Sequence, residues 1–288
     1  EFILINHPLD CTVGDQAGHC KLQDYHYEYN ARPSRFVEDK VHKVKAEPLG
    51  PTVMLDGERC IMCTRCIRFC DEITKTSELG MVNRGDHSMI AIREGHPLNN
   101  PLSGTVVDLC PVGALTHREW RFNTRIWFSE LKDSICPGCS TGCNVKVAVR
   151  DNKVVQVKAR LNSDVNKEWL CDEGRYGFDR FLPQERLTAP LLNRKEVGWD
   201  EVTKSVATQI KGQESLVFLA PNLLTEEYWV IKSFLDREVK NYKAVIAYRE
   251  RKLSEVEAVL ISPDYAANFR GAQHVGLVSD KPEQDYVE

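Results

Sequence analysis

The last third of the chain alternates between two apolar periods. Val202, Val206 and Ile210 recur at helical spacing, and Gly212 is placed to stop the run. Leu216 to Leu219 reads as a short buried strand. Thr225 is positioned to cap a helix running through Trp229 to Val239, with Glu226 and Glu227 favourable in its first turn. Ala244 to Tyr248 and Ala258 to Ser262 read as further strands. Strands alternating with helices predict a parallel α/β unit. No G-x-G-x-x-G or phosphate loop accompanies it, so it reads as structural or docking.

Upstream the period changes to two. Val145, Val147 and Val149 alternate with Lys146 and Ala148, Asp151 and Asn152 supply a turn, and Val154, Val155 and Val157 return, which predicts a hairpin. Pro33, Pro48, Gly50 and Pro51 break a polar stretch over 31–51. Four regions follow, 1–30, 31–125, 126–190 and 191–288.

Composition narrows the function classes. A net charge of −4 gives no basic excess for nucleic acid. No apolar run approaches the roughly 18 residues that span a bilayer, so membrane association would go through a partner. The chain opens on Glu1 and the apolar run Phe2 to Ile5, without initiator methionine or leader, and reads as starting inside a longer protein.

Cysteine carries the chemistry. All eleven lie within the first 171 residues, several only two or three positions apart, too tightly grouped to staple distant segments. Cys60, Cys63 and Cys66 form C-x2-C-x2-C, which wraps three corners of a cubane cluster from one loop. Cys110, followed by Pro111, supplies the remote fourth thiolate. Cys70 is followed by Asp71 and starts one helical turn after Cys66, so it reads as a buried helix residue. Cys136, Cys139 and Cys143 form C-x2-C-x3-C with Gly138 and Gly142 allowing tight turns, and Cys171 follows beyond the hairpin. Four cysteines alone do not choose the metal, so a zinc-stabilised scaffold is the competing class. Arg65, Arg68 and Lys75 flank the first of these sets, either as charges that raise its potential or as a solvated helix face.

These motifs together resemble the large iron–sulfur component, the 75 kDa or G-type subunit, of NADH:quinone oxidoreductase, respiratory complex I, in its bacterial form. The matching residues are His7 to Cys11, Leu22 to Asp24, Cys60 to Arg68, Cys110 to Leu115, Cys136 to Cys143 and Cys171 to Gly177. Arg186 to Pro190 with Trp199 to Glu201 resembles the opening of a molybdopterin-oxidoreductase-like domain. The resemblance implies an α+β and α/β multidomain chain. Small ferredoxin-like cluster domains would precede the start of that molybdopterin-type domain and a truncated α/β unit. It implies two [4Fe–4S] clusters, on Cys60, Cys63, Cys66 and Cys110, and on Cys136, Cys139, Cys143 and Cys171. It also implies a third cluster on a histidine and three cysteines. Here only His7, Cys11 and Cys20 stand, because Gly14 occupies the middle cysteine position; Asp15 or water is the substitute to consider.

The implied role is electron relay on the cytoplasmic side of the bacterial inner membrane. A flavin-bearing, NADH-oxidising partner would hold the FMN, ferredoxin-like partners would lead on to quinone, and molybdenum is not expected. An NAD-dependent formate dehydrogenase or hydrogenase input segment is the nearest alternative, disfavoured because residues 103–109 lack a second ferredoxin triad. No residue reads as a catalytic acid, base or nucleophile.

Overall fold

The computed structural model describes residues 2–8, 10–11, 14–29, 34–181, 187–246 and 250–279. Leu9, Arg186, Ala247 and Tyr248, which fall in motifs or strands expected above, lie outside them. Two compact units emerge. The first comprises 1–136, 143–177 and 253–261, and the second comprises 137–142, 178–252 and 262–288. Small sheets and short helices mix throughout, an α+β architecture.

In the first unit, Val53–Leu55 is the central strand of a three-stranded antiparallel sheet, flanked by Glu47–Pro48 and Leu115–His117. Val53, Leu55 and Leu115 are buried and anchor it. Pairing of Leu55 with Leu115, and the 2.7 Å bond from Asp56 N–H to Ala114 C=O, hold together the two chain segments that lead to Cys60 and come from Cys110. Gly50 is obligatory beside this sheet: a Cβ there would sit 2.0 Å from the Leu98 carbonyl oxygen.

A second antiparallel sheet contains Glu130–Ile135, Asn144–Arg150 and Lys153–Ala159 in that order. Asp151 and Asn152 both have positive φ (50° and 60°), as the primed hairpin turn requires. Val145, Ala148 and Val157 face inward, whereas Glu130–Ile135 is an exposed edge.

A buried polar clamp joins the helix Thr105–Leu109 to the helix Asp172–Tyr176. Arg175 is fully buried and its Nη2 donates to Asp108 Oδ2 at 2.6 Å. Asp172 accepts from Gly104 N–H at 2.8 Å and from the Ser103 hydroxyl, and Thr105 Oγ1 donates to the Leu170 carbonyl at 3.0 Å.

The second unit has Ser215–Leu219 parallel to Tyr242–Ile246, connected through the helix Thr225–Phe234. Tyr228, Ile246, Ala266 and Ala272 are at the centre of its core. The helix Trp199–Ile210 runs as its period requires, and Gly212 with φ +73° follows its end. Three details differ from the sequence reading. Leu216 and Phe218 are 54% and 68% exposed, so their strand alternates rather than being buried on both faces. Leu224 holds the cap position, and its N–H donates to Glu227 at 2.7 Å; Thr225 is already helical. The stretch 258–262 is not a strand. Ser254 and Glu257 form a capping box, the Ser254 N–H donating to Glu257 Oε2 at 2.8 Å, which starts the helical turn Glu257–Val259.

Arg175→Met is expected to lower unfolding stability by about 3–5 kcal/mol, because Asp108, its side chain 17% exposed, loses its hydrogen-bonded ion-pair partner. Urea unfolding of the anaerobically handled chain measures this, and Asp108→Leu added to Arg175→Met is expected to recover much of the loss.

Candidate metal centres

Cys60, Cys63, Cys66 and Cys110 line one cavity, walled by Leu55, Ile90, Val112 and Leu115. The loop curls because Met62 and Thr64 adopt positive φ (55° and 59°), unusual for residues with a side chain and most of all for a β-branched one. Cys66 then rides on the short helix Arg65–Arg68. Cys110 leaves the helix Thr105–Leu109 in extended conformation ahead of Pro111. Burial, reinforced by the neighbouring thiols, pushes Cys66 up to about 12 and Cys110 up to about 11. Thiols so placed keep their protons in water alone and ionise when a metal supplies positive charge.

Cys70 is fully buried in the wide π-helical turn Phe69–Ile73, beyond that cavity's walls, and burial raises its thiol to about 12. Of the flanking cations, Arg65 lines the cavity. Arg68 instead pairs with Glu72 at 2.9 Å on an exposed helix face. Lys75 lies in the turn beyond, at φ +57°.

In the first unit Cys136 and Cys143 stand at the open ends of paired strands. The Ile135–Asn144 register and a 2.8 Å bond from Cys136 N–H to Cys143 C=O hold them there. Cys171 caps the helix Asp172–Tyr176, its sulfur accepting from Gly174 N–H at 3.3 Å. A Cβ on Gly174 would lie 3.1 Å from Cys136 Sγ and 3.4 Å from Cys171 Sγ, so glycine keeps space open beside both sulfurs. Asn166, 1% exposed, ties these segments together. It accepts from Asn144 N–H at 2.9 Å and donates to the Trp169 carbonyl at 3.0 Å. Cys139 belongs to the second unit, on a loop turned by Gly142 at φ +64°. Its neighbour Ser140 donates N–H to the Asp264 carbonyl at 2.9 Å.

His7, Cys11 and Cys20 line another cavity, of about 280 Å³. His7 is 6% exposed and its Nδ1 has no hydrogen-bond partner. Burial, then the charge of Arg59, lowers its basicity and keeps the imidazole neutral, the form that ligates metals. Next to Gly14 stands Arg59, with Nη1 3.2 Å from where a Cβ would be. Asp15 is not a substitute ligand: it is absent from the cavity walls and accepts from Phe122 N–H at 2.6 Å.

Three soft donor sets, a glycine cradle beside two sulfurs and an orphaned buried imidazole nitrogen suit iron–sulfur clusters. Among the described residues, no three His, Cys, Asp or Glu side chains converge as ligands of one ion. Sequence reasoning found the cysteines but missed Asn166, Asp108 and Arg175, which hold their segments together without touching a metal position.

Three families match the chain. An iron–sulfur binding region of NADH-ubiquinone oxidoreductase-G covers residues 1–35. The ferredoxin-like domain of NADH-quinone oxidoreductase subunit 3 covers 50–116. The molybdopterin oxidoreductase Fe4S4 domain covers 130–182. The G-type subunit of the NADH-quinone oxidoreductase of Rickettsia conorii is 36% identical over 85% of this chain and 37% of its own length. The 75 kDa subunit of the NADH-ubiquinone oxidoreductase of Reclinomonas americana is 36% identical over 82% of this chain and 35% of its own. The corresponding G-type subunit of Streptomyces coelicolor is 37% identical over 74% of this chain and 25% of its own. This chain thus spans between a quarter and little more than a third of the length of these curated relatives. Among solved structures, an NAD+-reducing [NiFe]-hydrogenase in the H2-reduced state aligns at 26% identity with a TM-score of 0.37, over 43% of this chain and 54% of that one. Across 82–85% of its residues, then, the chain is a homologue of the G-type, or 75 kDa, subunits of NADH-quinone oxidoreductases, and it carries matches to three iron–sulfur binding regions.

Proposed function

We propose that this chain is an electron relay of an NADH:quinone oxidoreductase. It accepts single electrons that originate at an NADH-reduced FMN on a partner subunit and passes them toward quinone through ferredoxin-like partners. The observation that carries the reading is the apolar cavity ringed by Cys60, Cys63, Cys66 and Cys110. One [4Fe–4S] cluster is assigned there and a second to Cys136, Cys139, Cys143 and Cys171.

When bound, each cluster supplies a one-electron couple. The chain's part is to hold the thiolates, exclude water and set the local charge. Apolar walls disfavour added negative charge. Arg65, on the cavity wall, favours it and raises the potential, whereas Arg68 is already engaged with Glu72 and contributes little. The regions 1–30, 31–125 and 126–190 are the cluster-bearing segments in this reading, and 191–288 is structural. Among the described residues no helix is long and apolar enough to cross a membrane. We place the chain in the peripheral arm, on the cytoplasmic side.

Two expectations follow, read by iron analysis and by low-temperature EPR during dithionite titration. Cys66→Ser removes about 4 iron per chain and one reduced-state signal, while Cys70→Ala keeps the iron and every signal. A chain that holds iron yet develops no paramagnetic reduced state is not a relay.

A further inference from the structure

Arg59 belongs by sequence to one cluster segment and by its side chain to another. Its backbone immediately precedes Cys60, yet its side chain lines the cavity whose wall His7, Cys11, Gly14 and Cys20 share, and not the cavity that Cys60 lines. Two carboxylates fix it there. Nη2 donates to Asp10 Oδ1 at 2.8 Å, and Nε donates to Asp56 Oδ2 at 3.1 Å. Asp10 directly precedes Cys11. Asp56 is itself tied by its N–H to the Ala114 carbonyl at 2.7 Å. The Arg59 side chain is only 11% exposed between them.

These bonds use Nε and Nη2 and leave Nη1 uncommitted among the described residues. That nitrogen stands at Gly14. The chain turns tightly here, Gly14 N–H donating to the Cys11 carbonyl at 3.1 Å. A Cβ on Gly14 would lie 3.4 Å from the Cys11 carbonyl oxygen and 3.2 Å from Arg59 Nη1, so a side chain at 14 would push the guanidinium back. Arg125, the other cation at this turn, donates its Nη1 to the Gly14 carbonyl. The charge of Arg59 is felt at two donors. At His7, burial and then Arg59 lower the basicity of the ring. At Cys11, burial and then Cys20 raise the thiol, and Arg59 opposes them.

On the iron–sulfur reading of this segment, we infer that Arg59 sets the reduction potential of the cluster held by His7, Cys11 and Cys20, by keeping a positive charge and an unspent N–H donor at Gly14. Reduction adds one negative charge to a cluster. A fixed cation stabilises that state, and so does a hydrogen-bond donor aimed at sulfur, so Arg59 raises the potential. Its partner Asp10 acts on the same two donors with the opposite sign and lowers it.

Potentiometric titration of the anaerobically purified full chain tests this. Pulsed EPR of imidazole nitrogen isolates the cluster, since the other two donor sets are all cysteine. Arg59→Gln is expected to keep the iron content of wild type. It is expected to move the midpoint of the histidine-coupled signal to lower potential, and by more than any other midpoint. Arg59→Lys keeps the charge and is expected to move it less, while Asp10→Asn is expected to move it upward. A merely structural role for Arg59 gives no such pair of opposite shifts. An unmoved or raised midpoint in Arg59→Gln overturns the assignment, and so does an equal shift of every signal. Should Arg59→Gln lose iron from this site, Asp10→Asn decides: an upward shift supports the assignment and its absence overturns it. Wild type whose reduced signals carry no histidine coupling overturns the role of Arg59 and leaves the relay reading standing. A chain with no iron at any site overturns both.

Discussion

A fully buried arginine is the constraint on which the first unit depends. Arg175 has no access to water, so its charge must be met by protein, and Asp108 meets it at 2.6 Å. Asp108 lies two residues before Cys110, and Arg175 lies four after Cys171. The ion pair and the bonds from Ser103 and Gly104 to Asp172 therefore lock a cysteine of one set to a cysteine of another. The spacing between two candidate metal positions is set by an interaction that includes no metal ligand. For a relay, whose rates depend on fixed separation, this is where rigidity matters.

The same unit uses backbone shape to expose sulfur. Positive φ at Met62 and Thr64 curls the Cys60–Cys66 loop, and glycine at 174 leaves room beside Cys136 and Cys171. Burial then makes the Cys66 and Cys110 thiols reluctant to ionise, so a bound metal would supply the charge that favours their thiolates. His7 is held neutral by the same burial.

Much of this was legible in the chain itself. The cysteine spacing is local, and a C-x2-C-x2-C loop reads the same in any context. The valine alternation around Asp151 and Asn152 is equally local, and the hairpin forms as it implies. What the sequence hid was decided by neighbours distant along the chain. Leu216 and Phe218 look like core residues but stand on an open sheet face. The stretch 258–262 has strand-like residues, yet the Ser254–Glu257 capping box wins locally. Asp15 sits next to Gly14 in sequence but its carboxylate is bound to Phe122. Arg175 stands within the run Cys171 to Gly177, and nothing in that local sequence announces that the fold buries it completely.

The central claim is that the two four-cysteine sets hold iron–sulfur clusters. Iron, acid-labile sulfide and zinc measured together on an anaerobically purified Cys11→Ala/Cys20→Ala chain test it directly, because only those two sets then remain to be counted. The account predicts about 8 iron and about 8 sulfide per chain with no stoichiometric zinc. Iron near zero with stoichiometric zinc would contradict it and leave a zinc-stabilised scaffold in its place.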